Sequence, residues 1–246
     1  MARRSVPDWL TRWEYAHRGL HGAGESRGAP ENSLAAARLA IERGMGIECD
    51  IQRSADDWPM VFHDWELKRL VGVDEETERL TKDELIQLSY TGTDERIATL
   101  PDLLAEIDGK VPLLVEIKSK PGYDVDWTCL FVGNYLRTYP GDCAVMSFDP
   151  RVARWFRRME PEILCGLVMR EDAHGHTQKA WQRRLALWIA KPDFLAYHIA
   201  ALPNPWVARL RAKGLPILTW TVNSPETRAR ALEHADALIS EGAGLA

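Results

Sequence analysis

The sequence predicts a (β/α)8 barrel, and two observations carry that expectation. Eight strand-like apolar runs alternate with helical patterns along the 246 residues. Most of those runs are continuous, as in Leu113-Leu114-Val115 and Ile217-Leu218-Thr219, which fits parallel strands covered on both faces. A doubly wound open sheet is the competitor. Its dinucleotide-binding form carries G-x-G-x-x-G, whereas Gly19-Leu20-His21-Gly22-Ala23-Gly24 leads into Ser26, Arg27 and Pro30 rather than a helix start. Residues 1–246 are read as one domain, without linker, low-complexity tract or repeat.

The strands are expected at Trp13–His17, Met45–Asp50, Pro112–Ile117, Cys143–Phe148, Ile163–Val168, Asp193–His198, Pro216–Val222 and Asp236–Ser240. The first helix, Asn32–Arg43, carries Leu34, Ala37, Leu39 and Ile41 on one side and stops at Gly44, a natural C-cap. Helices also follow at Pro101–Asp108, Asp126–Thr138, Pro150–Met159, Thr177–Ala190, Pro205–Lys213 and Ser224–His234. In the last, Ser224 sits at the cap and Pro225 at the first helical position. The gap between the second and third strands is about twice the others. Within it Gln52–His63 reads as a hairpin turning at Ser54-Ala55-Asp56-Asp57, and Thr81–Leu88 as a short helix with acids in its first turn. The expectation is therefore a barrel with a hairpin and helix inserted after its second strand.

Composition bounds the function. The chain is 46% apolar and 27% charged, ordinary for a globular protein with a full core. A net charge of −5 argues against a nucleic-acid partner and gives no support for an anionic membrane surface. No apolar run is long enough to span a bilayer, and Asp8, Thr11, Arg12 and Glu14 interrupt any secretory core, so stable membrane insertion is not expected. Cys49, Cys129, Cys143 and Cys165 lack C-x-x-C spacing and lie in apolar segments, which fits reduced thiols and a cytoplasmic setting. A homo-oligomer remains open.

The chemistry resides in a small set of charged residues at strand ends. His17-Arg18-Gly19 follows the first strand, Glu48-Cys49-Asp50 ends the second, and Glu116-Ile117-Lys118 ends the third. Spacing of i, i+2 on a strand points Glu48 and Asp50 to one side, and Glu116 and Lys118 likewise. A parallel barrel works at the carboxyl ends of its strands, so three carboxylates and His17 converge there, and the hairpin brings His63-Asp64 back to the same mouth. Hard oxygen ligands suit one Mg2+ or Ca2+. Each piece alone has an ordinary explanation as a solvated strand edge, a surface ion pair or a turn. Their convergence, with charge where a buried strand should be apolar, calls for a metal or a partner. Two imidazoles, an arginine and a carboxylate-held cation suit phosphodiester cleavage.

In this order the residues resemble the glycerophosphodiester phosphodiesterase family. The matching segments are His17-Arg18-Gly19, Pro30-Glu31-Asn32-Ser33, Glu48-x-Asp50, Val61-Phe62-His63-Asp64, Leu67-x-Arg69, Leu113–Lys118, Ser147-Phe148 and Trp220-Thr221-Val222-Asn223. The resemblance implies that Glu48, Asp50 and Glu116 bind one divalent cation, that His17 and His63 are the acid–base pair, and that Arg18 and Lys118 hold phosphate. Glu31 and Asn32 would shape the loop beside the metal, and Trp220 would wall the glycerol or head-group pocket. The implied reaction turns glycerophosphodiesters from deacylated phospholipids into an alcohol and glycerol 3-phosphate, by direct hydrolysis or through a cyclic phosphate that water opens. A lysophospholipase D acting on single-chain lipids and a non-catalytic barrel binding phosphorylated metabolites are the alternatives.

The chain departs from the family pattern at its end. A Thr-Asp followed by Pro usually closes the last strand, where this chain reads Ser240-Glu241-Gly242, with Glu241 standing in for the aspartate. The segment after His63 lacks a large inserted cap, so the mouth is expected to be open, and the loop Gly19–Ala29 to contribute contacts. His198 is a further candidate for substrate contact, and His174-Gly175-His176 a weaker one for metal.

Overall fold

The structure, a computed structural model, describes residues 4–22 and 28–245. Eight parallel strands close on themselves: β1 (Tyr15–Ala16), β2 (Gly46–Arg53), β5 (Leu113–Ile117), β6 (Cys143–Ser147), β7 (Leu164–Met169), β8 (Phe194–His198), β9 (Ile217–Val222) and β10 (Ala237–Ser240). Pairing of β1 with both β10 and β2 makes the barrel and leaves none of the eight with a free edge. The (β/α)8 expectation holds and the open sheet is excluded. Two short strands, β3 (Pro59–Val61) and β4 (Ala98–Thr99), extend β2 sideways as an antiparallel ribbon.

Alternation along each strand sorts the side chains into two cores. On β5, Leu113, Val115 and Ile117 point outward to the helices, while Leu114 and Glu116 point inward. The barrel interior is filled by Tyr15, Leu114, Ala144, Met146, Leu164, Val168, Phe194, Leu218 and Ile239. Gly166 is required there, because a Cβ on it would sit 2.3 Å from the Phe194 ring. The outer core lies between strands and the helices α2 (Leu34–Glu42), α5 (Leu100–Ile107), α6 (Val125–Leu136), α7 (Pro150–Met159), α8 (Ala180–Ala190), α9 (Pro205–Ala212) and α10 (Pro225–His234). Sequence-local caps start them: Ser33 accepts from Ala36 N–H on α2, and Ser224 and Thr227 form a capping box on α10 behind Pro225.

Several boundaries differ from expectation for physical reasons. β2 runs past Asp50 to Arg53, because after its parallel pairing with β5 the chain continues antiparallel to β3. Thr81 caps α4 (Lys82–Leu85), which is half the length expected. Its insertion also holds α3 (Lys68–Val71) and packs on a separate small core of Met60, Phe62, Leu67, Leu85, Tyr90 and Ile97. A short helix α1 (Trp9–Arg12) plugs the end of the barrel opposite the mouth by burying Leu10 against Tyr15. Neither α1 nor β4 was expected. Each is too short to carry a periodicity.

Candidate active site

The sequence places His17, Arg18 and Gly19 at the first turn after β1, and that turn is unusually constrained. Arg18 and Gly19 both have positive φ, 56° and 76°. A Cβ on Gly19 would lie 2.8 Å from the Ala36 side chain, so only glycine lets α2 approach. The bend aims the Arg18 N–H at Glu48 Oε2, 3.0 Å away, and the Arg18 Nη1 at Glu31 Oε1, 2.8 Å away. Asn32, also at positive φ (59°), grips Asp50 twice: its Nδ2 donates to Asp50 Oδ2 (3.0 Å) and its Oδ1 accepts the Asp50 N–H (3.1 Å).

Glu48 and Asp50 face inward on β2, and the register sets Asp50 beside Glu116 of β5. One oxygen from each of Glu48, Asp50 and Glu116 lies within 4.8 Å of the others, and all three side chains are buried. Burial, then the charges of Asp50 and Glu116, push the Glu48 carboxyl well above the usual range. Burial also opposes ionisation of Asp50, but Lys118, His63 and Arg18 nearby and the Asn32 hydrogen bond outweigh it and hold Asp50 well below. Lys118 Nζ sits 3.2 Å from Glu116 and 3.4 Å from Asp50. Burial opposes its charge, but the two acids keep it firmly protonated. Three crowded carboxylates with only part of their charge offset form an all-oxygen donor set, which suits a hard divalent cation.

Both expected histidines face this cluster, and each is held from behind by a carboxylate. His17 Nδ1 is 2.6 Å from Glu241 Oε2, and His63 Nδ1 is 2.6 Å from Asp64 Oδ1. Asp64 is bound in turn by Arg69, whose guanidinium also forks onto Glu31. A continuous chain thus runs His63–Asp64–Arg69–Glu31–Arg18–Asp50. A carboxylate beside Nδ1 of each ring favours a proton on that nitrogen and leaves Nε2 as the nitrogen free for proton transfer.

One pocket of about 260 Å3 collects His17, Arg18, Glu48, Asp50, His63, Glu116, Lys118 and Trp220. Glu31 and Asn32 stand behind it and hold Arg18 and Asp50. All ten side chains singled out in the sequence therefore meet at one barrel end. A larger cavity, about 500 Å3, lies at α9 and α10 beside Leu202, Val207 and His234, and none of the clustered carboxylates lines it. The far wall of the site is apolar: Met146, Phe148, Val168, Trp220 and Ile239. Phe148 packs edge-on to Trp220 at 5.4 Å, and His198 lies 4.8 Å from the Trp220 ring. His174 and His176 form no metal-ligating group among the described residues. Of the loop Gly19–Ala29, residues 23–27 lie outside the described ones.

Some site residues went unassigned by sequence reasoning. Arg170 lines the pocket just beyond β7, stacks over Trp220 at 5.5 Å and pairs with Asp172. Its signal was position alone, because a charge just past a barrel strand points to the mouth. Arg69 stood in a recognised motif without a role, and only the fold shows that it ties Asp64 to Glu31.

Closed barrel, inward carboxylates and paired histidines together define a phosphoric diester hydrolase. The Glycerophosphoryl diester phosphodiesterase family model matches residues 17–241, and the chain belongs to that family. A glycerophosphodiester phosphodiesterase of Caldanaerobacter subterraneus is 25% identical over 237 residues, 92% of each chain. An Oleispira antarctica phosphodiesterase, solved with the product sn-glycerol-3-phosphate, superposes with a TM-score of 0.81 at 26% identity, over 94% of this chain and 93% of that one. The Thermotoga maritima glycerophosphodiester phosphodiesterase superposes with a TM-score of 0.73 at 26% identity, over 92% of each.

Proposed function

We propose that this barrel, residues 1–246, hydrolyses glycerophosphodiesters to an alcohol and glycerol 3-phosphate, with His17 and His63 as the acid–base pair and one Mg2+ or Ca2+ as cofactor. The observation that carries it is the pairing of His17 with Glu241 and of His63 with Asp64 around one buried three-carboxylate cluster. Glu48, Asp50 and Glu116 hold the cation, which when bound supplies Lewis-acid neutralisation of the phosphoryl oxygens. Arg18 and Lys118 add fixed positive charge for the same oxygens.

Water attacks phosphorus as the ester bond to the head-group alcohol breaks. One imidazole Nε2 takes the water proton, and the other histidine, protonated, gives its proton to the leaving alkoxide. Water and diester become alcohol and glycerol 3-phosphate, and the two rings end with their protonation states swapped. A single acid or base contributes about 10²–10⁴-fold. Enzymes as a class remove about 8–23 kcal/mol of barrier. Electrostatic stabilisation of the phosphoryl group must therefore supply a large share. Trp220 with Phe148 gives the glycerol carbons an apolar wall. Lipid-derived water-soluble diesters fit the small pocket, and the natural setting is the cytoplasm; no helix among the described residues is long and apolar enough to cross a membrane.

The test is glycerol 3-phosphate release from glycerophosphocholine and glycerophosphoethanolamine, in EDTA and then with Mg2+, Ca2+ or Mn2+. Metal-restored release that disappears in His17→Ala and in His63→Ala, with folding intact, is expected. Release from lysophospholipids alone would move the reading to a lysophospholipase D. No release from any diester would leave a phosphometabolite-binding barrel.

A further inference from the structure

Helix α8 is amphipathic in reverse. Its inward positions are Ala186 and Ala190, both buried, while Trp181, Leu185 and Trp188 are 60%, 46% and 70% exposed. Their spacing of four and three residues puts them on one stripe. Met159, which ends the neighbouring helix α7, is 58% exposed. Four of the six large apolar side chains exposed among the described residues thus lie on this pair of helices. Scattered single apolar residues are ordinary on a surface; a concentrated patch marks an interaction site.

The same two helices carry six arginines and no acid, in a chain whose net charge is −5. Arg151, Arg157 and Arg183 are paired with Asp149, Asp193 and Glu171. Arg154, Arg158 and Arg184 are exposed and have no ion-pair partner among the described residues. Between α7 and the end of α8 lies a groove of about 400 Å3 lined by Arg154, Arg157, Arg158, Trp188, Ile189 and Lys191. Four cations around an apolar floor suit a phosphate with hydrocarbon attached. Tryptophans beside arginines suit the headgroup level of a bilayer, where an amphipathic ring has one side wet and the other in acyl chain.

We propose that the α7/α8 face docks this protein peripherally onto a bilayer containing anionic phospholipids, with a lipid phosphate in the α7/α8 groove and Trp181 and Trp188 at the interface. Charge complementarity selects that occupant. A second copy docked through the same face about a two-fold axis would set unpaired arginines against unpaired arginines. The overall acidity of the chain hides such a surface, because it averages a basic face into an acidic whole. The proposal goes beyond the reaction above and does not depend on it.

The test is co-sedimentation of the full chain with vesicles of phosphatidylcholine alone, and of phosphatidylcholine with one quarter phosphatidylglycerol, at low and physiological salt. The protein is expected to pellet with the anionic vesicles only, with a blue shift of tryptophan emission, and to release as salt rises. Surface-bound arginines contribute about fivefold each, so Arg154→Glu with Arg158→Glu should lower partitioning at least tenfold. Trp181→Ser with Trp188→Ser should remove the emission shift. Turnover of soluble glycerophosphoethanolamine and the melting midpoint should stay unchanged in both. If the tryptophan variant fails to fold, the exposed arginine pair carries the test. Wild type left in the supernatant with anionic vesicles at low salt would overturn the proposal, as would undiminished pelleting of the arginine variant. A dimer that these substitutions split into monomers would assign the face to a second copy instead.

Discussion

Nδ1 of His17 lies 2.6 Å from Oε2 of Glu241, so the residue that follows the first barrel strand is held by the residue that follows the last, 224 positions later. That hydrogen bond, with the His21 ring 3.7 Å from the same oxygen, keeps the Glu241 carboxyl well below the usual carboxylate range. An ionised Glu241 favours the imidazole proton on Nδ1 and turns Nε2 toward the carboxylate cluster, 3.9 Å from Glu48. On the proposed function Glu241 positions His17 and does not touch substrate.

Glu241→Gln should therefore lower kcat by about 10²-fold or more while leaving KM within a few-fold, because it disturbs the tautomer and not the pocket. Glu241→Asp should recover part of the loss. Steady-state kinetics with glycerophosphoethanolamine, with circular dichroism to confirm folding, decide it. A glutamine variant as fast as wild type would show that His17 needs no partner.

The carboxylate cluster predicts a pH-dependent cost in metal-free protein. The Glu48 carboxyl is raised, by burial first and then by Asp50 and Glu116. A raised acid binds its proton more tightly folded than unfolded, so its cost to stability appears above the unfolded value of about 4.3 and grows until the folded group ionises. Asp50, Glu31, Asp64 and Glu241 are all lowered, so their contributions are present above their unfolded values and are lost as pH falls. In EDTA, then, Glu48→Gln should melt above wild type near pH 8, and the gap should narrow toward pH 4. Added Mg2+ or Ca2+ should raise the wild-type midpoint more than that of the variant. A gap that does not change with pH would place the strain elsewhere.

The barrel, and the gathering of ten residues at one of its ends, were legible in the sequence because parallel barrels convert strand-end position into spatial convergence. Glu48, Asp50, Glu116 and Lys118 needed only the two-residue alternation of a strand to be sent to one side. What stayed hidden depends on long-range closure or on side-chain reach. The Arg69 fork onto Asp64 and Glu31 joins segments 38 residues apart through a loop whose path no periodicity encodes. The α1 plug and β4 are too short for any pattern to register. The α7/α8 face was hidden for another reason: a helical pattern with two tryptophans reads as core until the fold shows which side faces the barrel.

The network behind His63 should be separable from the ring itself. Arg69→Ala removes the fork and leaves Asp64 and Glu31, both held low partly by Arg69, without that cation. The carboxylates remain close to the site, so kcat is expected to fall by about tenfold, well short of the loss in His63→Ala. Raising the salt should narrow the difference between wild type and variant only slightly, because the inner members of the chain are buried. Equal losses in the two variants would mean that Arg69 touches substrate directly.

Asn32 offers the sharpest separation of backbone from side chain. It sits at φ 59° and makes two hydrogen bonds to Asp50. Asn32→Gly keeps the backbone conformation at no steric cost and loses both bonds; Asn32→Ala loses the bonds and adds the left-handed penalty. The bond lost to the Asp50 carboxylate is worth about 1.5–3 kcal/mol and the one lost from its backbone N–H about 0.5–1.5 kcal/mol, so both variants should be destabilised, alanine by about 1 kcal/mol more than glycine. Both should also weaken divalent-cation binding by about 10–100-fold, since Asp50 loses the group that fixes its orientation. Calorimetric titration of Mg2+ or Ca2+ into the two proteins, beside urea unfolding, reads the two effects independently. If glycine restored metal affinity to the wild-type value, the backbone bend would be the whole contribution of Asn32, and its grip on Asp50 would be incidental.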